Sequence, residues 1–369
     1  MSSSSPQKKM HGLFFLGHPA HFHLFRGTIQ ELQQQGHRIT IFIKKKDILE
    51  SLLKSAGLEY INALPEGRKD GKIAIALSVI KKNFKLLGFC LKNRPDWMAG
   101  TSAEIAHVGF LLRIPSFVFS EDDYDVISTF AKVTYPFAHH VVSPIGCDNG
   151  PWNKKTIRYA GYHKLAYLHP NRFKPDARVV DQYFPHDQPY FILRLAKLNA
   201  HHDDGASGIS NKLLHAIIDV LSQKGRVFIT SERAIPEEFN SYLLSINPLD
   251  IHHLMAYCSL YIGDSQSMAV EASMLGVPNV RISSFSGKIS VLEDLEHHYK
   301  LTIGIHPTKE EKILQTIQSL VNNKNVTTEF KERRSQMLLD KIDVTDWLIK
   351  LFSSPINSKT NPLLRHDKY

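Results

Sequence analysis

Cysteine is scarce in this 369-residue chain: Cys90, Cys147 and Cys258 are widely spaced and form no C-x-x-C pair. Neither a disulfide framework nor a cysteine zinc site is indicated, and buried free thiols are expected. Long apolar runs are missing too, since no stretch approaches the ~20 unbroken apolar residues of a membrane-spanning helix. The run Leu13-Phe-Phe-Leu-Gly behind Lys8 and Lys9 is too short for a signal-peptide core and reads as a first strand. A cytoplasmic location is expected, with peripheral contact at the inner membrane face held open by the charge distribution.

Acidic residues are few at one end. Residues 1–100 hold 16 Lys and Arg against 7 Asp and Glu, whereas the remaining 269 residues hold 29 of each. The whole formal excess of +9 therefore sits in the N-terminal quarter. Such asymmetry points to an anionic partner, either phospholipid head groups, a lipid-linked phosphate or nucleic acid, or to a solvated basic face. No nucleic-acid recognition motif accompanies it, so nucleic acid is not expected as a partner. The segment Lys72–Lys92 carries Ile73, Leu77, Ile80, Phe84 and Leu87 at helical spacing beside Lys81, Lys82 and Lys85. A basic amphipathic helix of this kind can lie on an anionic bilayer or simply turn lysines to water, with a break expected near Gly88.

With 43% hydrophobic and 22% charged residues the chain is globular, and its length suits about two domains. The first half alternates strand-like segments (His11–Gly17, Arg38–Lys44, Glu59–Leu64, Trp97–Ala99, Ser116–Ser120, His140–Ser143) with helical ones (Phe22–Gln35, Ile48–Ala56, Ala103–Leu112, Ile127–Phe137). After an irregular stretch the alternation resumes with strands Tyr190–Ala196, Arg226–Thr230, Leu260–Gly263 and Pro278–Ile282 between the helices Asn211–Gln223, His252–Cys258, Met268–Leu275 and Lys309–Val321. This pattern implies βαβ units in two doubly wound parallel sheets. The expected division is 1–170, 171–340 and a closing amphipathic helix with tail, 341–369, returning to the first domain. In open α/β sheets ligands sit beyond the carboxyl ends of the strands, so the loops after strands are where side chains matter.

The most specific local pattern is Leu260-Tyr-Ile-Gly-Asp-Ser-Gln-Ser-Met-Ala-Val-Glu-Ala-Ser-Met-Leu-Gly-Val-Pro. A strand ends at Gly263, Asp264 and Ser265 make the turn, and a helix is expected to open near Ser267. Free N–H groups and the positive end of the helix dipole form an anion site suited to a diphosphate. Ser265 and Ser267 add hydroxyl donors, and Glu271, one turn on, can accept from ribose hydroxyls. A capped packing helix is the plainer reading of the same residues.

Here the sequence resembles known proteins. The run just quoted looks like the donor-binding signature of GT-B-fold proteins, including non-hydrolysing UDP-N-acetylglucosamine 2-epimerases and the glycosyltransferase that makes lipid II. More closely, Gly17-His-Pro-Ala-His-Phe-His-Leu-Phe, Tyr135-Pro-Phe-Ala, Gly161-Tyr-His-Lys-Leu-Ala-Tyr-Leu, Phe173-Lys-Pro-Asp and Leu198-Asn-Ala-His-His-Asp-Asp-Gly resemble domain-of-unknown-function family 354, a GT-B-like group. The resemblance implies two Rossmann-like domains facing a central cleft. It also implies a nucleotide sugar, UDP-linked, as substrate, with no tightly bound cofactor and a lipid-linked or polysaccharide acceptor. Where the epimerases and many transferases have two glycines after the donor-loop serine, this chain has Gln266 and Ser267.

Other candidates follow from position. His18, His21 and His23 crowd the first loop. Metal binding is not expected, because i, i+2 spacing shares no helix face and no carboxylate is near. His18 and His21 instead suit a general base or a donor to phosphate or sugar. Glu121 and Asp123 in Ser120-Glu-Asp-Asp-Tyr-Asp follow an apolar strand, and clustered acids there are expected to raise one another's pKa and serve as acid and base. Arg194, Asn199, His201 and Asp204 follow the first strand of the second half, as an Arg and a His do in the epimerases. Arg233 and Lys288 are further phosphate partners. The pairs His252-His253 and His297-His298 are expected on helix surfaces. Three functions follow: glycosyl transfer in surface-polysaccharide or glycolipid assembly, a sugar-nucleotide 2-epimerase using Glu121, Asp123 and His201, or a non-catalytic nucleotide-sugar-binding protein.

Overall fold

The computed structural model describes residues 8–46, 48–65, 72–185, 187–197, 208–284, 289–354, 356 and 361–364. The chain divides into two compact units, residues 1–167 with 342–369, and residues 168–341.

In the first unit β1 (His11–Leu16) leads through α1 (Pro19–Gln34) to β2 (Arg38–Lys44), and α2 (Leu49–Ser55) leads to β3 (Ile61–Leu64). The chain then runs through α3 (Lys72–Asn93), β4 (Trp97–Gly100), α4 (Ala103–Leu112), β5 (Ser116–Phe119), α5 (Ser128–Thr134), β6 (His140–Pro144) and β7 (Thr156–Tyr159). These seven strands form one parallel sheet in the order β3-β2-β1-β4-β5-β6-β7. Every residue of β1 is buried, as suits a strand covered on both faces. The sequence switches direction between β1 and β4, which is the crevice where such sheets bind ligands.

A single turn, α6 (Leu165–Leu168), spans the division in the chain, and α7 (Ala177–Asp181) follows. The second unit continues with β8 (Tyr190–Leu195), α8 (Asn211–Ser222), β9 (Arg226–Ser231), α9 (Ile251–Tyr257), β10 (Leu260–Gly263), α10 (Gln266–Leu275) and β11 (Asn279–Ile282). It closes with α11 (Ser290–Glu293), β12 (Ile303–Ile305), α12 (Glu310–Asn322) and α13 (Val326–Asp340). The parallel order is β12-β11-β10-β8-β9, so this switch point lies between β8 and β10. Leu193, Leu195, Leu260, Ile262, Val280 and Ile282 enter one apolar core with α8 and α12, so the alternate residues Arg194, Tyr261, Gly263 and Arg281 turn to the opposite face.

The last helix, α14 (Val344–Ser353), belongs to the first unit. Its Phe352 stacks on Trp97 with ring centroids 4.2 Å apart and meets Phe14 and Phe117 edge-on. Among the described residues no helix is long and apolar enough to cross a membrane.

Several expectations are corrected in detail. The helix at Lys72 runs through Gly88 unbroken to Asn93. The helix after Gly263 opens at Gln266, with Ser265 as its N-cap, so Ser267 is already in its first turn. Strands β7 and β12 and helix α13 were not anticipated. His252 is buried and the half-buried His253 packs at a tilt on Phe173 with ring centroids 4.8 Å apart, so this pair is not on the open surface, whereas His297 and His298 are exposed.

Candidate functional site

The second unit's switch point is built around Gly263. Register places Arg194 of β8 and Arg281 of β11 on either side of it. A Cβ on Gly263 would stand 2.6 Å from the Tyr261 hydroxyl and 2.9 Å from the Arg194 Cβ. Only glycine lets these two side chains lie across the strand end. Arg194 pairs with Glu232, yet its Nε is buried without a hydrogen-bond partner, as are the Tyr261 hydroxyl and Nε and Nη1 of Arg281. Arg281 is fully buried and its Nη2 donates to Glu296 at 3.0 Å. Orphaned donors of this kind are rare and call for an explanation, an anion among them. Gly263→Ala is expected to displace Arg194 and Tyr261. A variant that keeps its thermal transition but loses ligand-induced stabilisation is the expected result, and full retention of ligand binding would count against a role for this row.

Asp264, at the turn, faces inward. Its carboxylate accepts from Ala196 N–H at 2.6 Å and Ile209 N–H at 3.2 Å and lies 3.5 Å from Arg233 Nη2. Arg233 also donates to the Ile209 carbonyl. Asp264 and Arg233 thus pin both stems of the segment that carries Asn199, His201 and Asp204. Those three residues, and Lys288 in the later loop, lie outside the described residues. Burial raises the Asp264 acid above the ordinary carboxylate value, an effect that the bond from Ala196 N–H and the charge of Arg233 partly offset.

Ser265 caps α10, its hydroxyl accepting from Met268 N–H. Ser267 is exposed on the first turn, and α10 ends at Gly276 with φ 70°, a left-handed stop. Glu271 is half-buried, its carboxylate 3.4 Å from Nε2 of the buried His252. Glu293, Glu296 and His297 could together hold a cation, but Glu296 already serves Arg281 and Gly304 N–H, and His297 serves Glu293.

The first unit gathers its candidates beyond β1, β4 and β5. His18 is the N-cap of α1, its Nδ1 accepting from Ala20 N–H at 3.1 Å. His21 Nδ1 accepts from Gly17 N–H at 3.1 Å, which puts its ring proton on Nε2. The Thr101 hydroxyl lies against the ring edge, 2.7 Å from Nδ1 and 2.9 Å from Nε2. Burial first, then His18 and Lys44, push His21 well below the ordinary imidazole value. It is neutral at neutral pH, and its acceptor nitrogen is engaged.

Glu121 is not raised by neighbouring acids. Burial alone would raise it, but the Lys164 ammonium at 2.7 Å and His163, whose N–H donates at 2.6 Å, hold it below the usual range. Asp123 is buried and accepts from Asp148 N–H at 2.7 Å, joining the loop after β5 to the loop after β6. The expected acid/base pair is therefore one ion-paired carboxylate and one loop staple. His163, Lys164, Thr101 and Arg281 were missed. Gly161-Tyr-His-Lys was visible as a motif, but no local spacing links it to Glu121, and Arg281 showed only as a cation inside an apolar strand.

Two parallel α/β units, each with its polar residues at a switch point, define a GT-B-like fold. The chain belongs to the family described as Protein of unknown function (DUF354), whose model matches residues 15–345. No curated protein matches the sequence. Among solved structures, MnaA of S. aureus in complex with UDP superposes with a TM-score of 0.65 at 11% identity, over 93% of this chain and 95% of that one. UDP-GlcNAc 2-epimerase from Neisseria meningitidis bound to UDP-GlcNAc gives 0.60 at 14% identity, over 89% and 100%. MurG of Acinetobacter baumannii gives 0.60 at 15%, over 93% and 98%. At these identities the likeness speaks for the fold.

Proposed function

We propose that this protein binds a nucleotide sugar, UDP-linked, at the second unit's switch point and transfers the sugar to an acceptor in surface-polysaccharide or glycolipid assembly. The observation that carries the reading is the row Arg194–Gly263–Arg281, with orphaned donors on both arginines, beside the N-terminus of α10. In this reading the diphosphate lies against α10, where Ser265 marks the helix start and Ser267 offers a hydroxyl, and Glu271 accepts from the ribose. Transfer breaks the bond from the sugar's anomeric carbon to the diphosphate. The acceptor hydroxyl oxygen forms the new bond to that carbon, its proton passes to the departing phosphate, and the electron pair of the broken bond leaves on the phosphate oxygen, where the helix dipole and the arginines would take the place of a metal in stabilising it. Arg233 and Asp264 act as positioning residues through the loop stems, and Asn199, His201 and Lys288 remain proposed contacts to the nucleotide and its diphosphate. His18 and His21, with their Nδ1 atoms accepting, serve as donors to the acceptor in place of bases.

Transfer is favoured over 2-epimerisation because the two carboxylates an epimerase would use are committed, Glu121 to Lys164 and Asp123 to Asp148 N–H. A thermal-shift panel of nucleotides and nucleotide sugars tests the reading, since a ligand selective for the folded state raises its melting temperature. UDP and a UDP-sugar are expected to stabilise the protein, and Glu271→Ala to weaken calorimetric affinity by about 1–3 kcal/mol. Unchanged affinity in a folded Glu271→Ala variant removes the ribose contact. Exchange of the sugar C2 proton in deuterated water would favour epimerisation, and binding without turnover would favour a non-catalytic carrier.

A further inference from the structure

Helix α3 presents two different stripes to solvent. Its inner face buries Ser78, Lys82, Leu86 and Cys90. Outside, Leu77, Ile80, Phe84 and Leu91 recur at three-, four- and seven-residue steps and stay exposed, Phe84 at 70%. Beside them runs a second exposed stripe, Lys81, Lys85 and Lys92. On α4 the adjoining Phe110 and Leu111 are exposed at 60% and 65%. Between the helices lies an apolar groove of about 300 Å³ lined by Ile80, Phe84, Leu87, Val108 and Leu111. Two polar side chains on its wall, Asn83 and His107, bond to each other, and His107 bonds onward to the Val133 carbonyl.

Among the described residues of these helices carboxylates are scarce. Residues 72–95, 103–113 and 128–139 contain one, Glu104, and it is buried against Lys82. Lys82 is thereby removed from the basic face that the sequence assigned to it. What remains among the described residues of α3 and α4 is apolar surface bordered by exposed lysines, of which Lys85 also donates to the Asn62 carbonyl. A second copy of the chain fits poorly, because an isologous contact would set the lysine stripe near itself. We propose that the α3–α4 face docks on an anionic phospholipid bilayer, with Phe84 and Leu111 entering the acyl region and Lys81, Lys85 and Lys92 meeting the head groups. The inference does not depend on the transfer reading.

The test is co-sedimentation of the full chain with vesicles of phosphatidylcholine, with or without phosphatidylglycerol, at low and high salt. Binding is expected on the anionic vesicles and to fall with salt. Lys81→Gln with Lys85→Gln should lower the partition coefficient roughly 25-fold, about 5-fold per charge. Phe84→Ser with Leu111→Ser should lower it about 10-fold or more at unchanged melting temperature. Phe84→Trp in the otherwise intact chain should be quenched by lipids brominated on the acyl chain. Equal partitioning onto neutral and anionic vesicles, no binding to either, or an unquenched Trp at position 84 would overturn the proposal. So would a dimer in solution that Phe84→Ser dissolves, which would make the face a contact between copies.

Discussion

Asp264→Ala should lower the melting transition of the second unit by roughly 5–20 °C, on the scale of about 2–4 °C per kcal/mol for a unit of this size. The side chain is almost wholly buried, and two backbone N–H groups, those of Ala196 and Ile209, end on its separate oxygens. Truncation leaves both without an acceptor at about 1–3 kcal/mol each, and strands the Arg233 guanidinium as well. Asp264→Asn should fall between wild type and alanine, since its amide group faces one N–H with another. The pH dependence separates charge from bonding. Because burial raises the folded acid above its unfolded value, its own titration adds stability at low pH and removes it as pH rises through the folded value. The gap between wild type and Asp264→Asn should therefore be wider at the acid end. Equal melting temperatures for wild type and Asp264→Ala in calorimetry would show that the loop stems are held by something else.

The second large effect lies in the first unit and has the opposite sign. His163 is pushed down to about 4, first by burial, with Lys164 adding to it and Glu121 opposing. A base with a depressed folded pKa gives stability that is full above the unfolded value near 6.5 and is lost as pH falls toward 4. That loss should reach on the order of 3 kcal/mol, and His21 adds to it in the same direction. Glu121, lowered by its partners, extends the decline below the ordinary carboxylate range. His163→Phe keeps the ring stacked on Tyr159 and the backbone N–H to Glu121, but removes the titration. Urea denaturation at several pH values should give a flatter acid limb for His163→Phe, and superimposable limbs would sink the assignment.

How far the sequence could be read follows from what is local. The recurrence of Ile39, Ile41 and Ile43 in Arg38–Lys44 and the spacing of Phe22, Phe25, Ile29 and Leu32 are patterns within one element, and all four of those helix residues are buried. The elements that escaped lack such a signal. Strand β12 is three residues with a glycine at its centre, and β7 follows directly on Lys154 and Lys155. Helix α13 is charged on most sides, opens on Val326-Thr-Thr and buries only Val326, Phe330 and Met337. The donor-type loop at Gly263 was legible because strand, turn and helix succeed one another. The partners that give it chemistry were not, because Arg194, Gly263 and Arg281 meet through register between strands whose spacing in the chain says nothing of it. The acid cluster misled for a related reason: the cation that sets Glu121 stands 43 residues away.

The stacking of Phe352 on Trp97 bears on the order in which the protein is made. The second unit is one uninterrupted stretch, 168–341, whereas the first needs residues 342–369 from the far end of the chain. A ribosome that has delivered β1 through β7 has delivered a sheet whose Phe14, Trp97 and Phe117 still lack the ring that covers them. Domains usually mature from the N-terminus as they emerge. Here the unit begun first is finished last, and until α14 arrives the nascent chain carries an open aromatic surface that is a natural target for chaperones, and stalled or truncated products should be the ones that aggregate.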